Sequence, residues 1–170
     1  LRPSGSPADK QEWEPRVSIV LPTYNEEAIV ETKLDDLLEI DYPMQKVELV
    51  VVDSSTDDTR NIIREYFSDV NDPELVLLEE DNRSGVARAI NRAMDAVSSE
   101  VVFRTDCDSK LGSDVLREAV ANLSDERVGA VTGQQTEVLG ESQVEQDYRD
   151  IIARLQSLES RLDSTFICHG

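Results

Sequence analysis

Short apolar runs recur along this chain, and amphipathic segments separate them. The strands that these runs predict occupy residues 17–21, 47–52, 74–78, 100–105 and 128–132. A strand that is apolar along its whole length is buried on both faces, as strands are in parallel sheets covered by helices. Strands that alternate with helices are typical of α/β folds. The pattern therefore predicts an α/β sandwich, with a mostly parallel sheet and helices on both of its faces.

The segments between the predicted strands have the apolar spacing of amphipathic helices. We expect these helices at about residues 25–39, 57–67, 85–97 and 113–123. Asn25 and Thr56 belong to the residue types that cap helix N-termini, so we expect them to cap the first two helices. A longer apolar stripe over residues 144–162 predicts a further amphipathic helix.

The length of 170 residues suits one domain with a short extension at each end. We expect a flexible leader at residues 1–15, a core at residues 16–135, and the long amphipathic helix within residues 136–170. No apolar stretch approaches the roughly 20 residues of a membrane-spanning helix. We therefore expect membrane association only through segments outside this sequence.

The chain is strongly acidic, with a formal net charge of -19 and lysine at only four of its 17 basic positions. A distributed acidic excess is typical of proteins from salt-adapted organisms, where concentrated cations screen the self-repulsion. Nucleic-acid binding is not expected, because the sequence offers no basic face. Cys107 and Cys168 match no zinc or redox spacing, which favours a reducing, cytoplasmic location, including the cytoplasmic face of a membrane.

Residues 105–108 read Thr-Asp-Cys-Asp and directly follow an apolar run. Two carboxylates about 4 Å apart repel each other by roughly 4 kcal/mol at an effective dielectric constant near 20. A divalent cation between Asp106 and Asp108 would relieve that repulsion, and carboxylate oxygens suit Mg²⁺ or Mn²⁺. Cys107 is a spacer in this interpretation. The alternative interpretation is an ordinary loop in an acidic chain.

Polar segments follow three other predicted strands. Pro22 and Tyr24 come after the first strand, where the tyrosine ring can lie against a flat ligand. Asp53 ends the second strand and can accept a hydrogen bond from a nucleobase N–H. After the third strand, Arg83 and Arg88 surround a glycine at a helix start, and either arginine can contact a phosphate. Each segment alone also fits an ordinary strand-to-helix turn, but the carboxyl ends of parallel strands meet at one ligand-binding edge. Together with the acidic pair, the segments indicate a site for a nucleoside diphosphate.

These segments resemble the successive motifs of family 2 glycosyltransferases, which have the GT-A fold. The matching stretches are residues 17–27, 50–57, 82–91 and 105–108. The resemblance implies a domain that binds a UDP-, GDP- or dTDP-sugar with Mg²⁺ or Mn²⁺. It also implies transfer of the sugar to a hydroxyl acceptor by single displacement, with inversion at the anomeric carbon. The acceptor, whether a polysaccharide, a lipid-linked glycan or a protein glycan, stays open.

The resemblance further implies roles for individual residues. The implied nucleotide-binding residues are Pro22, Thr23, Tyr24, Glu26, Asp53, Arg83 and Asp106, and the implied metal ligands are Asp106 and Asp108. Asp53 would face the base, although the second motif carries one acid and two serines where the family pattern has two acids followed by Gly-Ser. Family members carry an acidic catalytic base in a later segment, so we expect this base beyond Gly170. Gly133 and Gln134 resemble the start of the acceptor-side region, which we expect to continue through residues 136–170.

Three alternative functions compete with this interpretation. A sugar-1-phosphate nucleotidyltransferase shares the architecture but needs a Gly-rich, Arg-containing loop after the first strand, where this chain has Pro-Thr-Tyr-Asn. A receiver-type signalling module would need an acidic pair at that point and a lysine after its fifth strand, and the sequence has neither. A catalytically silent nucleotide-binding module stays open.

Overall fold

The computed structural model describes residues 8–133, which form a four-stranded parallel sheet with helices on both faces. The strands are β1 Val17–Thr23, β2 Val47–Asp53, β3 Glu74–Glu79 and β4 Val101–Arg104. The helices are α1 Val30–Leu38, a 3-10 helix Met44–Lys46, α2 Thr59–Tyr66, α3 Val86–Ala96 and α4 Val115–Leu123. The parallel α/β architecture predicted from the apolar runs is confirmed.

Alternate residues of the central strands enter two separate core layers, because side chains along a strand point to opposite faces. Ile19 of β1 belongs to the larger layer, whereas its neighbour Val20 belongs to the smaller one. The larger layer takes its helical side chains from α1, α2 and α4. The smaller layer takes Ala89 and Ala93 from α3, which therefore covers the opposite face of the sheet.

The strand order is β3-β2-β1-β4, so the chain moves outward from β1 to β3 and then crosses to the other side of β1. Open α/β sheets bind ligands outside the carboxyl ends of the strands at such a switch point. The crevice between the ends of β1 and β4 is therefore where a site is expected. Tyr24 and Asp106 follow these two strands in the sequence.

The first two helices begin later than predicted. Asn25 and Thr56 cap neither helix, because α1 begins at Val30 and α2 begins at Thr59. The side chain of Asn25 instead accepts a hydrogen bond from the Thr56 N–H at 2.9 Å. The Asn25 side chain therefore joins the loop after β1 to the loop after β2 and does not cap α1.

One further prediction is wrong within the described residues. Residues 128–132 were expected to form a strand, but they pair with none of the described strands, and Val131 is 42% exposed.

The flexible leader expected over residues 1–15 stays a prediction. Its described part contacts the core: the Asp9 N–H donates to Asp125 Oδ2 at 2.9 Å, and the Tyr42 hydroxyl donates to the Pro15 carbonyl at 2.7 Å.

The helix predicted over residues 144–162, and all of residues 136–170, lie outside the described part of the chain. Among residues 8–133, no helix is both long enough and apolar enough to cross a membrane.

Candidate functional site

A cavity of about 290 Å³ opens at the carboxyl ends of the strands. Its lining consists of Pro22, Thr23, Tyr24, Glu26, Ser54, Arg83, Gly85, Val86, Ala89, Asp106, Cys107 and Asp108. The cavity thus draws on the loops after all four strands of the sheet. Of the residues predicted for nucleotide or metal binding, all are in this lining except Asp53 and Arg88, the second of the two arginines considered for a phosphate contact.

The loop after β1 is held by hydrogen bonds to the loop after β2. Asn25 has a left-handed backbone conformation with φ of 58°, which asparagine tolerates better than most residues. Its side chain accepts from the Thr56 N–H, and the Glu26 N–H donates to Thr59 Oγ1 at 2.8 Å. These contacts fix the backbone that follows Tyr24 and present its ring at the cavity.

Tyr24 and Arg83 meet over the cavity. The guanidinium carbon of Arg83 lies 4.3 Å from the centroid of the Tyr24 ring, within the range of a cation–π contact. Tyr24 is 37% exposed and Arg83 is also exposed. An aromatic face and a guanidinium plane are both surfaces on which a nucleobase can stack.

The turn after β4 places its two aspartates at the cavity by burying the cysteine between them. Cys107 is 3% exposed and packs in the larger core layer, whereas Asp106 is half-buried and Asp108 is exposed. Burial raises the pKa of the Cys107 thiol to about 12, so the thiol is protonated at neutral pH and is a poor metal ligand. Arg104 Nη2 lies 2.8 Å from Asp106 Oδ1 and fixes the orientation of that carboxylate.

Glu26 adds a third carboxylate to the same cavity. Burial raises the pKa of Glu26, and the negative charges of Asp108 and Asp57 raise it further. Glu26, Asp106 and Asp108 all line this cavity, but within residues 8–133 no three His, Cys, Asp or Glu side chains are grouped closely enough to hold a metal ion by themselves. The carboxylate oxygens of this set are of the type that suits Mg²⁺ or Mn²⁺. Asp106 and Asp108 are the residues of this set that would hold the cation.

Asp53 is separated from the cavity by its own contacts. Its carboxylate is fully buried and accepts hydrogen bonds from Thr23 Oγ1 at 2.9 Å, Ser55 Oγ at 2.6 Å and Arg60 Nε at 2.8 Å. The next residue, Ser54, lines the cavity in its place. The predicted contact of Asp53 with a base stays a prediction; the contact of Asp53 that reaches the cavity lining is the one with Thr23.

The amino end of α3 forms the apolar side of the cavity. Gly85 has a φ of 92°, a conformation that residues with a side chain rarely adopt, and α3 begins at the next residue. Helix N-termini favour anions. The reasoning from sequence missed Ser54, Val86 and Ala89. The helical i, i+3 spacing of Val86 and Ala89 was the signal that both face one side.

Comparison with known proteins identifies the family. The model of glycosyl transferase family 2 matches residues 18–169. Among curated relatives, the β-monoglucosyldiacylglycerol synthase of Nostoc sp. is 29% identical over 118 residues, covering 69% of this chain and 25% of the relative. The poly(ribitol-phosphate) β-N-acetylglucosaminyltransferase TarS of Staphylococcus aureus is 27% identical over 148 residues, covering 86% of this chain and 26% of TarS. The chain thus spans about a quarter of the length of these curated relatives.

Solved structures give the same result. The mannosyltransferase PcManGT from Pyrobaculum calidifontis, in complex with GDP-Man and Mn²⁺, is 42% identical with a TM-score of 0.70, and the match covers 75% of this chain and 38% of that one. S. aureus TarS in complex with UDP-GlcNAc is 27% identical with a TM-score of 0.59, and covers 71% and 37% respectively. Four motifs around one cavity, a family match over most of the sequence and these structural relatives agree, and the chain belongs to glycosyl transferase family 2.

Proposed function

We propose that this chain is the donor-binding domain of a glycosyltransferase that uses a nucleoside diphosphate sugar and a divalent cation. The observation that carries the proposal is the convergence of Tyr24, Arg83, Glu26, Asp106 and Asp108 on one cavity at the switch point of the sheet. A nucleobase can stack on an aromatic ring, a diphosphate needs a positively charged side chain, and a metal ion needs carboxylate oxygens. The cavity lining offers all three kinds of group.

In this proposal each group has a separate task. Tyr24 offers a stacking surface for the base, and Arg83 and the amino end of α3 attract the diphosphate. Asp106 and Asp108 would hold Mg²⁺ or Mn²⁺, which supplies positive charge to stabilise the leaving nucleoside diphosphate. The likeness to a mannosyltransferase bound to GDP-Man and Mn²⁺ supports a GDP-sugar as the first donor to test.

We further propose that the sugar is transferred to a hydroxyl acceptor with inversion. The proposal leaves the acceptor open. It predicts that the donor nucleotide binds in the cavity described above.

Calorimetry tests the donor site directly. The chain is titrated with GDP, UDP and dTDP, each with and without Mn²⁺ at high salt, and at least one nucleotide is expected to bind in a Mn²⁺-dependent manner. Asp108→Asn is expected to weaken that binding about 10-fold or more, since metal sites respond this strongly even to changes around the ligands. Asp95→Asn, which removes an exposed acid from α3, is the matched control. The proposal fails if no nucleotide binds in a metal-dependent way, or if both variants bind like the parent chain.

A further inference from the structure

The largest fully buried side chain within residues 8–133 belongs to a lysine, Lys33 of α1. Its side chain has an exposure of 0%, and its Nζ lies 3.3 Å from Asp36 Oδ2. The Nζ also donates a hydrogen bond to the backbone carbonyl of Ser109. Burying an ammonium group costs several kcal/mol unless it is paired and hydrogen-bonded. An apolar residue would fill this core position without that cost, so the lysine calls for a specific explanation.

Lys33 and Asp36 together hold the backbone that follows the acidic turn. Lys33 donates to the carbonyl of Ser109, and Asp36 Oδ2 accepts from the Leu111 N–H at 3.1 Å. The two residues are three positions apart on α1 and therefore lie on one side of the helix. The pair thus binds both a carbonyl and an N–H of the same short segment, residues 109–111.

This segment completes the turn that carries the two cavity aspartates. The Ser109 N–H donates to the Asp106 carbonyl at 3.3 Å, closing a turn over residues 106–109. The Cys107 side chain, buried in the larger core layer, anchors the turn from inside. Lys33 holds its last residue, Ser109, so Asp108 lies between the two anchors and Asp106 directly precedes the first of them. Movement of either anchor changes the distance between the two carboxylates.

We infer that Lys33 is a positioning residue for the metal ligands: with Asp36 it holds residues 109–111 against α1 and so sets the separation of the Asp106 and Asp108 carboxylates. The inference rests on the proposed function, because it concerns the same metal site. Lys33 does not line the cavity and acts through the backbone of the turn.

The test compares nucleotide affinity with and without Mn²⁺ in Lys33→Met. The nucleotide is GDP or UDP, whichever the parent chain binds, and the measured quantity is the ratio of the two affinities. We expect Lys33→Met to lower this ratio about 10-fold or more, as changes around metal ligands typically do. Metal-free affinity should stay unchanged, because the Tyr24 platform lies on another loop. General destabilisation would instead reduce the folded fraction and leave the ratio in the folded protein as it was.

Two further variants make the result decisive. Lys46→Met is the matched control, since Lys46 also contacts one carboxylate and one carbonyl, both of Glu14, away from the cavity; its ratio should equal that of the parent. Lys33→Met/Asp36→Leu replaces the buried pair by apolar side chains, which can preserve folding, and its ratio should stay low. A parent-like ratio in Lys33→Met or in the double variant overturns the inference. Absence of Mn²⁺-dependent binding in the parent chain overturns the proposed function instead.

Discussion

Arg60 of α2 forms an ion pair with Asp53 at the end of β2, and the aspartate is completely buried while the arginine side chain is 22% exposed. The same guanidinium donates from Nη2 to the backbone carbonyls of Asp53 and Glu80, at 3.3 Å and 3.2 Å. Arg60 thus connects the strand end that carries the second motif to the start of the loop that carries Arg83.

Replacing Arg60 by Met is expected to destabilise the fold by about 3–5 kcal/mol, the usual effect of leaving a buried charge without its partner. Urea denaturation followed by circular dichroism measures the change. The double variant Asp53→Asn/Arg60→Met has no unpaired buried charge at this position and should regain most of the lost free energy of unfolding. If the single variant is as stable as the parent chain, the ion pair does not stabilise the fold as its geometry indicates.

Replacing Tyr24 by Leu is expected to weaken nucleotide binding without Mn²⁺ by about 5- to 150-fold. This range corresponds to the roughly 1–3 kcal/mol that stacking of a base on an aromatic ring contributes. Fluorescence or calorimetric titration with GDP or UDP measures the affinity. Tyr24→Phe keeps the ring and serves as the control, so it should bind nearly as tightly as the parent. If the Leu variant binds the nucleotide as tightly as the parent chain does, Tyr24 does not contact the base.

The raised pKa of Glu26 predicts a pH-dependent stability. Burial, followed by the charges of Asp108 and Asp57, raises this pKa above the ordinary value of 4.5, so the folded chain retains the proton to higher pH than the unfolded chain does. The free energy of unfolding therefore decreases as the pH rises from about 4.5 through the folded-state pKa, and it stays lower above that pKa.

Glu26→Gln cannot ionise and is expected to raise the Tm between pH 5 and pH 8 in the presence of EDTA, with a gain that grows as the pH rises through the folded-state pKa of Glu26 and is constant above it. Thermal denaturation over this range, above the pI of about 4.3, measures the gain. Glu65→Gln, at an exposed position of α2, should give no such pH-dependent gain. A gain that is absent, or that shrinks as the pH rises, contradicts the assignment of the shift to Glu26.

The net charge of -19 leads us to propose salt adaptation, with a direct test. Raising KCl from 0.1 M to 1 M shortens the Debye length from about 10 Å to about 3 Å, which screens repulsion among the acidic side chains. The Tm should therefore rise over this range. Neutralising exposed acids, as in Glu65→Gln/Asp95→Asn, should reduce the slope of Tm against KCl. A Tm that is unchanged or lowered by KCl argues against salt adaptation.

The strand and helix types within residues 16–123 were predictable because their local signals are strong. Uninterrupted apolar runs specify buried strands, and the segments between them have helical spacing. The prediction failed where the local signal was weak, as at residues 128–132, which contain a glycine and find no partner among the described strands. Asn25 also failed as a helix cap, because its side chain found a partner 31 positions away.

The sequence motifs that line the cavity could be predicted. The direction in which an individual side chain of a motif points could not. Asp53 and Ser54 are neighbours in sequence, and only the structure shows that Ser54 lines the cavity while Asp53 is held by Arg60. Neighbouring side chains at a strand end point in opposite directions, so a shift of one residue exchanges a buried carboxylate for a half-buried hydroxyl at the cavity.

The parallel α/β fold, the family and the edge of the sheet where the motifs meet follow from the amino-acid sequence, because they depend on apolar periodicity and on residue types in order along the chain. Which charged side chains meet is visible in the three-dimensional structure alone. Arg60 forms an ion pair with Asp53, and Arg83 lies over the ring of Tyr24. Lys33 donates a hydrogen bond to the turn that carries Asp106 and Asp108. Each of these contacts joins residues from different elements, and the distance between two such residues is set by how helices and strands pack.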